Sequence, residues 1–443
     1  EIAQCLVGSE MCIRDRMKTI NVMTVSLAAL LIAGCSQNEV TEVNPDAHPQ
    51  MAFGVYTGTS TRGIDTDNNS IKEDPEASDK YGGFGIMGYF TGSKTWEEAK
   101  SSTAPGFMHN QMVKWDKTLN SNAGGWTYTP IKYWPNNPND KISFFAYAPY
   151  ESDWEKGTKT GVTVCDATTV GIPYINFKLK EEKDLREMVD LVVADKTDQK
   201  YDANTGGKIS FNFNHTLSRV SFKAKLGDGE FSGMDGDENF VYITEMWIVG
   251  SNHGTSAKDG NMSLINSSAP SNENSKFYTT ATWKDLHWDY AEAVIPEKDF
   301  SLKSILNTDS GITESNPTAG HSSTISGVKI TKDSQTTPVS LFPDKQYLYL
   351  IPVGDTNVDA TKGTGCGKEE IQIGFHYDIV TKDETNDKQY IASHAESVIK
   401  LPAGHLKRQK TYQYTLTINL HTIVIDKVTV TDWGTETTES PVE

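Results

Sequence analysis

The chain is short of cysteine, of basic residues and of long apolar runs, and each shortage removes a class of protein. Five cysteines are spread over 443 residues with no Cys-x-x-Cys pair, which argues against a zinc ribbon or a disulfide-dense scaffold. Cys5 and Cys12 fall in residues 1–16, a stretch without structural period ahead of a Met17-Lys18 start, read here as non-native read-through outside the mature protein. Cys165 and Cys366 stand about 200 residues apart and are expected as two separate thiols rather than a bridge. Lysine and arginine number 41 against 59 acidic residues, a net charge of −18. No basic stripe is present to neutralise phosphates, which argues against nucleic acid as a partner, and the acidity suits an exported, soluble surface.

Catalytic and metal motifs are missing too. There is no HExxH, GxSxG or P-loop, and the ten histidines have no His or Cys partner at ligand spacing. The expectation is therefore no enzyme, no metal and no cofactor. His215 follows a clean strand and reads as a structural histidine in a turn. Asp65, Asp67, Asn69 and Glu76 copy positions 1, 3, 5 and 12 of a calcium loop, but Ser70 stands where that loop needs glycine, so a solvated loop is expected. Trp283 and Trp288 could stack on sugar rings, although strand packing uses such residues more often.

The longest apolar run covers residues 22–32, well under the roughly 20 residues that span a bilayer. With Lys18 before it and Ile32-Ala33-Gly34-Cys35 after it, residues 17–34 read as a lipoprotein signal peptide. Small residues at 33 and 34 admit a peptidase. The Cys35 thiol would take a diacylglycerol and become the lipidated amino terminus, with acyl groups such as palmitate, anchoring the chain to a membrane without spanning it. Residues 35–50, polar and holding Pro45 and Pro49, read as a tether.

What the mature chain has in quantity is short alternating strands. Met51, Phe53 and Val55 share one face of residues 51–56. Residues 84–90 and 141–148 are strongly apolar. Ile209, Phe211 and Phe213 alternate with polar residues, as do Val220, Phe222, Ala224 and Leu226. The second half repeats the style at 240–249, 291–295, 346–351, 371–380, 395–401 and 412–420, and ends on 423–433. There Ile423 and Ile425 stand on a different register from Val428 and Val430, which predicts a bulge near Asp426-Lys427. Helical period is almost absent, with one short turn possible within 182–193. The fold class is all-β, with two β-sandwich domains at 51–227 and 240–433, a boundary in the Gly/Asp/Glu-rich stretch between them, and a tail at 434–443.

Several segments in order resemble the fimbrillin (type V pilin) family of anaerobic Gram-negative bacteria. They are the lipobox with Cys35-Ser36-Gln37-Asn38-Glu39; Pro130-Ile131-Lys132-Tyr133-Trp134-Pro135 leading to residues 140–149; Asp190-Leu191-Val192-Val193-Ala194; residues 209–220; Tyr347-Leu348-Tyr349-Leu350-Ile351-Pro352; and 404–433, ending Val430-Thr431-Asp432-Trp433. The resemblance implies two tandem transthyretin-like β-sandwiches and a structural fimbrial subunit supporting cell adhesion. It implies export to the cell outer membrane through the lipid, then cleavage by a protease after a basic residue. Carried onto this sequence, Arg62-Gly63 is the bond to be cut, being the first Arg after Cys35 with no Lys before it. The strand lost carries Met51, Phe53 and Val55. The strand donated to a neighbour carries Ile423, Ile425, Val428, Val430 and Trp433. The implied partners are other fimbrial subunits, the processing protease, and a host protein or glycan as adhesion target, with the product in a surface fimbrium. The alternative is a surface glycan-binding lipoprotein that keeps its anchor and binds oligosaccharide through Trp283 or Trp288.

Overall fold

In the computed structural model, the described residues are 49–57, 66–171, 173–179, 188–229, 231, 238–249, 259–264, 283–287, 300–309, 311–317, 323–343, 346–352, 371–386, 389–401 and 406–432. From the amino end the strands are β1 (Ala52–Tyr56), β2 (Phe84–Gly92), β3 (Met108–Asp116), β4 (Gly125–Thr127), β5 (Lys141–Ala148), β6 (Val162–Val164), β7 (Tyr174–Lys178) and β8 (Val192–Gln199). β9 (Lys208–Asn212), β10 (Asn214–His215), β11 (Ser218–Leu226), β12 (Asn239–Ile248), β13 (Asp259–Ser263), β14 (Trp283–His287), β15 (Phe300–Ser301) and β16 (Ile312–Thr313) follow. The remainder are β17 (Thr324–Ile325), β18 (Val328–Ile330), β19 (Val339–Ser340), β20 (Leu348–Leu350), β21 (Ile371–Lys382), β22 (Tyr390–Leu401), β23 (Lys410–Ile418) and β24 (Ile423–Asp432). The fold is all-β.

The amino-terminal half is built on one sheet, ordered β10-β8-β5-β2-β3-β4. Its central strands lack polar alternation because both faces are covered. Phe84, Ile86, Phe144, Ala146 and Ala194 face one core, which β1 and β9 close. Met87, Tyr89, Phe145, Tyr147 and Val193 face the other core, shared with Val162, Ile175 and Phe177. Those three belong to β6 and β7, in the four-stranded sheet β14-β13-β7-β6.

The carboxy-terminal half is a sandwich of two sheets. One is ordered β19-β11-β23-β24 with β20 also on β11, and the other β15-β12-β21-β22 with β18 also on β12. Phe222, Tyr414 and Leu416 from the first meet Ile243, Phe375 and Tyr377 from the second in one core. Burial of these rings holds the tyrosines neutral: Tyr412 is pushed up to about 12, and Tyr414 higher still.

Two expectations change. β11, read from sequence as the last strand of the first domain, runs parallel to β23 from Arg219↔Thr411 to Leu226↔Ile418 and antiparallel to β19 and β20. Sheet membership among the described residues therefore changes between His215 and Ser218, one strand ahead of the stretch 227–240. Alternation identifies a strand but carries no information on which sheet receives it. Val192 and Val193, placed at the end of a short helical turn, instead open β8; residues 181–187 lie outside the described residues. Strands β3, β6 and β7 carry too few consecutive apolar residues to stand out in the sequence. The 291–295 strand lies outside the described residues. The predicted bulge is present: the β23–β24 register steps from Thr415↔Lys427 to Leu416↔Ile425 and skips Asp426.

Candidate functional site

β1 is a short strand inserted into an aromatic groove. Among the described residues its one ladder partner is β9, paired in parallel from Ala52↔Lys208 to Tyr56↔Asn212. Because side chains alternate, the inward row is Met51, Phe53 and Val55. Met51 and Phe53 are each 3% exposed, and Val55 is half-buried against the same cluster. The Phe53 ring stands edge-on to Tyr128 at 5.1 Å and Phe144 at 5.8 Å, and stacks on Phe211 at 6.1 Å. The outward residues Ala52 and Tyr56 are exposed.

The backbone of this segment is also held from its second side. Met51 N donates to Lys132 O at 2.9 Å, and Trp134 N donates to Pro49 O at 3.0 Å. The Tyr128 hydroxyl donates to Met51 O at 3.0 Å, and burial raises that phenol above its ordinary value. At the far end Phe213 N donates to Tyr56 O at 2.8 Å. The β9 end of the groove depends on a glycine: Gly207 has φ +74°, its carbonyl accepts from Trp134 Nε1 at 3.0 Å, and a Cβ there would meet that nitrogen at 2.5 Å.

Arg62 and Gly63 lie outside the described residues, as does Cys35, but both flanks of residues 58–65 are fixed. Thr57 N and Oγ1 donate to Asn68 Oδ1 at 3.0 and 3.1 Å. Thr66 N donates to Asp190 Oδ2 at 2.8 Å, and Thr66 Oγ1 donates to Asp190 O at 2.6 Å. Asp190 is fully buried and also bonds His215 Nδ1 at 2.9 Å. His215 thus has an orienting carboxylate in a structural junction. Its carbonyl accepts from Arg408 Nε at 3.2 Å, and Gln409 Nε2 donates to Asn214 Oδ1 at 2.9 Å. Sequence reading missed Asp190, whose position in an apolar stretch gave no sign of a partner 124 residues away in Thr66.

Among the described residues β24 is an edge strand with β23 as its ladder partner, and its Ile423 N also donates to Ser397 Oγ at 3.0 Å. Ile423 is buried, Ile425 and Val428 pack partly against the core, and Val430 is 42% exposed. Val424, on the outer face, is 46% exposed. Lys225 pairs with Asp426 at 3.0 Å, and Lys410 pairs with Asp432. Trp433 lies outside the described residues. The structure therefore places the two strand segments singled out in the sequence in different sheets: one filling a groove, the other on a sheet edge.

The remaining sequence candidates resolve simply. Asp67 Oδ1 accepts from Asn69 N and Ser70 N at 2.8 and 2.7 Å, which is turn chemistry, and Glu76 pairs with Lys114. Trp283 lies in β14, and Trp288 lies outside the described residues. Cys165 is a buried free thiol 3.8 Å from Met87 Sδ, and its burial raises its pKa. Cys366 lies outside the described residues. No helix among the described residues is long and apolar enough to cross a membrane.

The chain belongs to the fimbrillin-like family, whose model matches residues 76–433. It is 31% identical over 418 residues to Fimbrium subunit Fim1C of Phocaeicola vulgatus, covering 93% of this chain and 95% of that one. Among solved structures it is similar to a fimbrial protein from Bacteroides vulgatus, with a TM-score of 0.62 and 25% identity, covering 87% of this chain and 99% of the other.

Proposed function

We propose that this chain is a structural subunit of a surface fimbrium that polymerises by strand exchange. On this reading Cys35 is the lipidation site that carries the chain to the outer membrane. A protease then cuts Arg62-Gly63, β1 leaves with the lipidated piece, and the C-terminal strand of a neighbouring subunit enters the vacated groove. The observation that carries the reading is the seating of β1. Its inward row fills an aromatic slot, its one β-ladder partner among the described residues is β9, and its chain connection to the body runs through residues 58–65. A cut there converts a tethered strand into a separate one, which loses the high effective concentration of an intramolecular partner. Its departure exposes the β9 edge, a template for an incoming extended segment. A head-to-tail contact of this type does not close and so propagates a fibre. The relative named as a fimbrium subunit supports the same role.

Arg62→Ala tests it. Mass spectrometry of surface protein from cells carrying the native chain should find a mature amino terminus at Gly63, and the variant should retain lipidated Cys35 and form no fibres. Fibres of normal length from the variant would overturn the reading.

A further inference from the structure

The outer face of the β12-β21-β22 sheet carries a set of groups that strand exchange does not use. The β21–β22 register places His376 opposite Glu396 and Asp378 opposite His394. Residues two apart on one strand share a face, so all four side chains stand together. They line a cavity of about 320 Å³ with Thr324 and Ser326 at its wall. The hairpin β16–β17 lies against this face. Ser315 N donates to Tyr390 O at 2.8 Å, and Glu314 reaches in beside His394.

The geometry at His394 is that of a metal ligand with its support in place. Its Nδ1 meets Asp378 Oδ1 at 2.7 Å, the carboxylate–imidazole pairing that fixes the tautomer and leaves the Nε2 lone pair facing Glu314. Nε2 lies 3.6 Å from Glu314 Oε1. That separation exceeds a hydrogen bond. It is the span of a nitrogen and an oxygen that share one zinc-sized ion, roughly 3.4–3.6 Å for bonds of 2.0–2.2 Å at an open tetrahedral angle. The Glu314 side chain is 3% exposed, and its Oε2 is buried without a hydrogen-bond partner. A buried carboxylate oxygen left in that state is costly, and a cation bound to it removes the cost. Glu245 and Glu396 flank His376 at 3.3 and 2.9 Å, and Lys303 at the same cavity pairs with Glu245 at 3.5 Å, so carboxylates still outnumber the lysine there. Among the described residues no three such side chains already surround one point, so the shell would be completed by water from the cavity.

We propose that His394 and Glu314 bind a divalent transition cation of the zinc class, with Asp378 as the positioning residue. Imidazole with carboxylate selects such an ion over calcium or magnesium. The ion would clamp the β16–β17 hairpin to β22, independently of how subunits assemble. The test is calorimetric titration of the full chain with zinc chloride, paired with cobalt chloride absorption spectra, at neutral pH. The expected result is saturable binding of one ion per chain with a visible cobalt band. His394→Ala and Glu314→Gln should each weaken it at least tenfold. Asp378→Asn, which keeps both ligands, should weaken it by about 10- to 100-fold and keeps the proposal testable if the Glu314 variant fails to fold. No binding at millimolar zinc would overturn the proposal. So would binding that survives His394→Ala, or nitrogen NMR showing both ring nitrogens of His394 protonated in the presence of zinc, which would make the site an imidazolium between two carboxylates.

Discussion

Phe53→Ala should loosen β1 without dismantling the sheet beneath it. Phe53 is 3% exposed and its ring contacts Tyr128, Phe144 and Phe211. Truncating a buried Phe costs about 3–5 kcal/mol, the spread reflecting how far the site collapses. Collapse is limited on the Phe144 side, because β5 is held between β2 and β8. A loss of about 4 kcal/mol corresponds to nearly a thousandfold rise in the open population. The loss is local, because among the described residues β9 has β1 as its sole ladder partner, whereas β5 lies between β2 and β8. Native-state hydrogen exchange followed by mass spectrometry should show amides of β1 and β9 exchanging a few hundred- to a thousandfold faster. Amides of β5 and β8 should change by less than about tenfold. Uniform acceleration across β1, β5 and β8 would refute the view that β1 opens separately. Protection of β1 unchanged from the native chain would refute the view that Phe53 is its principal anchor.

Asp190→Asn keeps the shape of the junction but removes the charge that receives Thr66 N and His215 Nδ1. It should cost about 1–3 kcal/mol in chemical denaturation, with the midpoint lowered and the slope unchanged. The tyrosines set an alkaline limit. Tyr412 titrates near 12 in the fold against about 10 unfolded, so between those values the native state binds more protons. Its stabilisation is complete below pH 10 and is lost as pH rises toward 12, by at most about 3 kcal/mol. The thermal midpoint should fall over that window, and the fall should be shallower in Tyr412→Phe, which also loses the bond from Lys407 N to the phenol oxygen at 2.9 Å.

Much of the fold was readable because strand identity is a local property. The alternation in 208–214 and 220–226, and the mixed register near Asp426, are written in side-chain order and reappear as β9, β11 and the bulge. Sheet membership is not local. Nothing in Val220, Phe222 and Ala224 says that their strand lies beside Tyr412, Tyr414 and Leu416, almost two hundred residues on. The same limit hid the polar junctions. Asp190 and His394 are ordinary residues in sequence, and their roles arise only when Thr66 and Glu314 arrive from distant segments. The inward row of β1 was legible, whereas the hydrogen bonds that hold its segment, from the Tyr128 hydroxyl and Trp134 N and to Lys132 O, come from a turn with no strand pattern.

The proposed exchange makes a demand that the two strands meet unequally. The groove receives three successive inward residues, Met51, Phe53 and Val55, two positions apart. Besides Val424 on the outer face, the apolar positions of β24 are Ile423, Ile425, Val428 and Val430, and these four share one face, with Val430 exposed beyond the core, only because Asp426 is bulged out of register with β23. If β24 straightens on leaving β23, period-two alternation sends Ile423 and Ile425 to one face and Val428 and Val430 to the other. A flat donor therefore offers two consecutive apolar residues to a groove shaped for three. A donor that keeps the bulge offers all four, but must carry its kink into the β9 edge. The four aliphatic residues supply no ring for the slot between Tyr128, Phe144 and Phe211, so a valine or isoleucine there underfills the volume of Phe53, and the one ring of the donor segment is Trp433 at its end. On this geometry β1 fits its own groove better than β24 would. On the proposed reading the driving force for exchange is therefore removal of the β1 tether by cleavage, rather than tighter packing of the incoming strand.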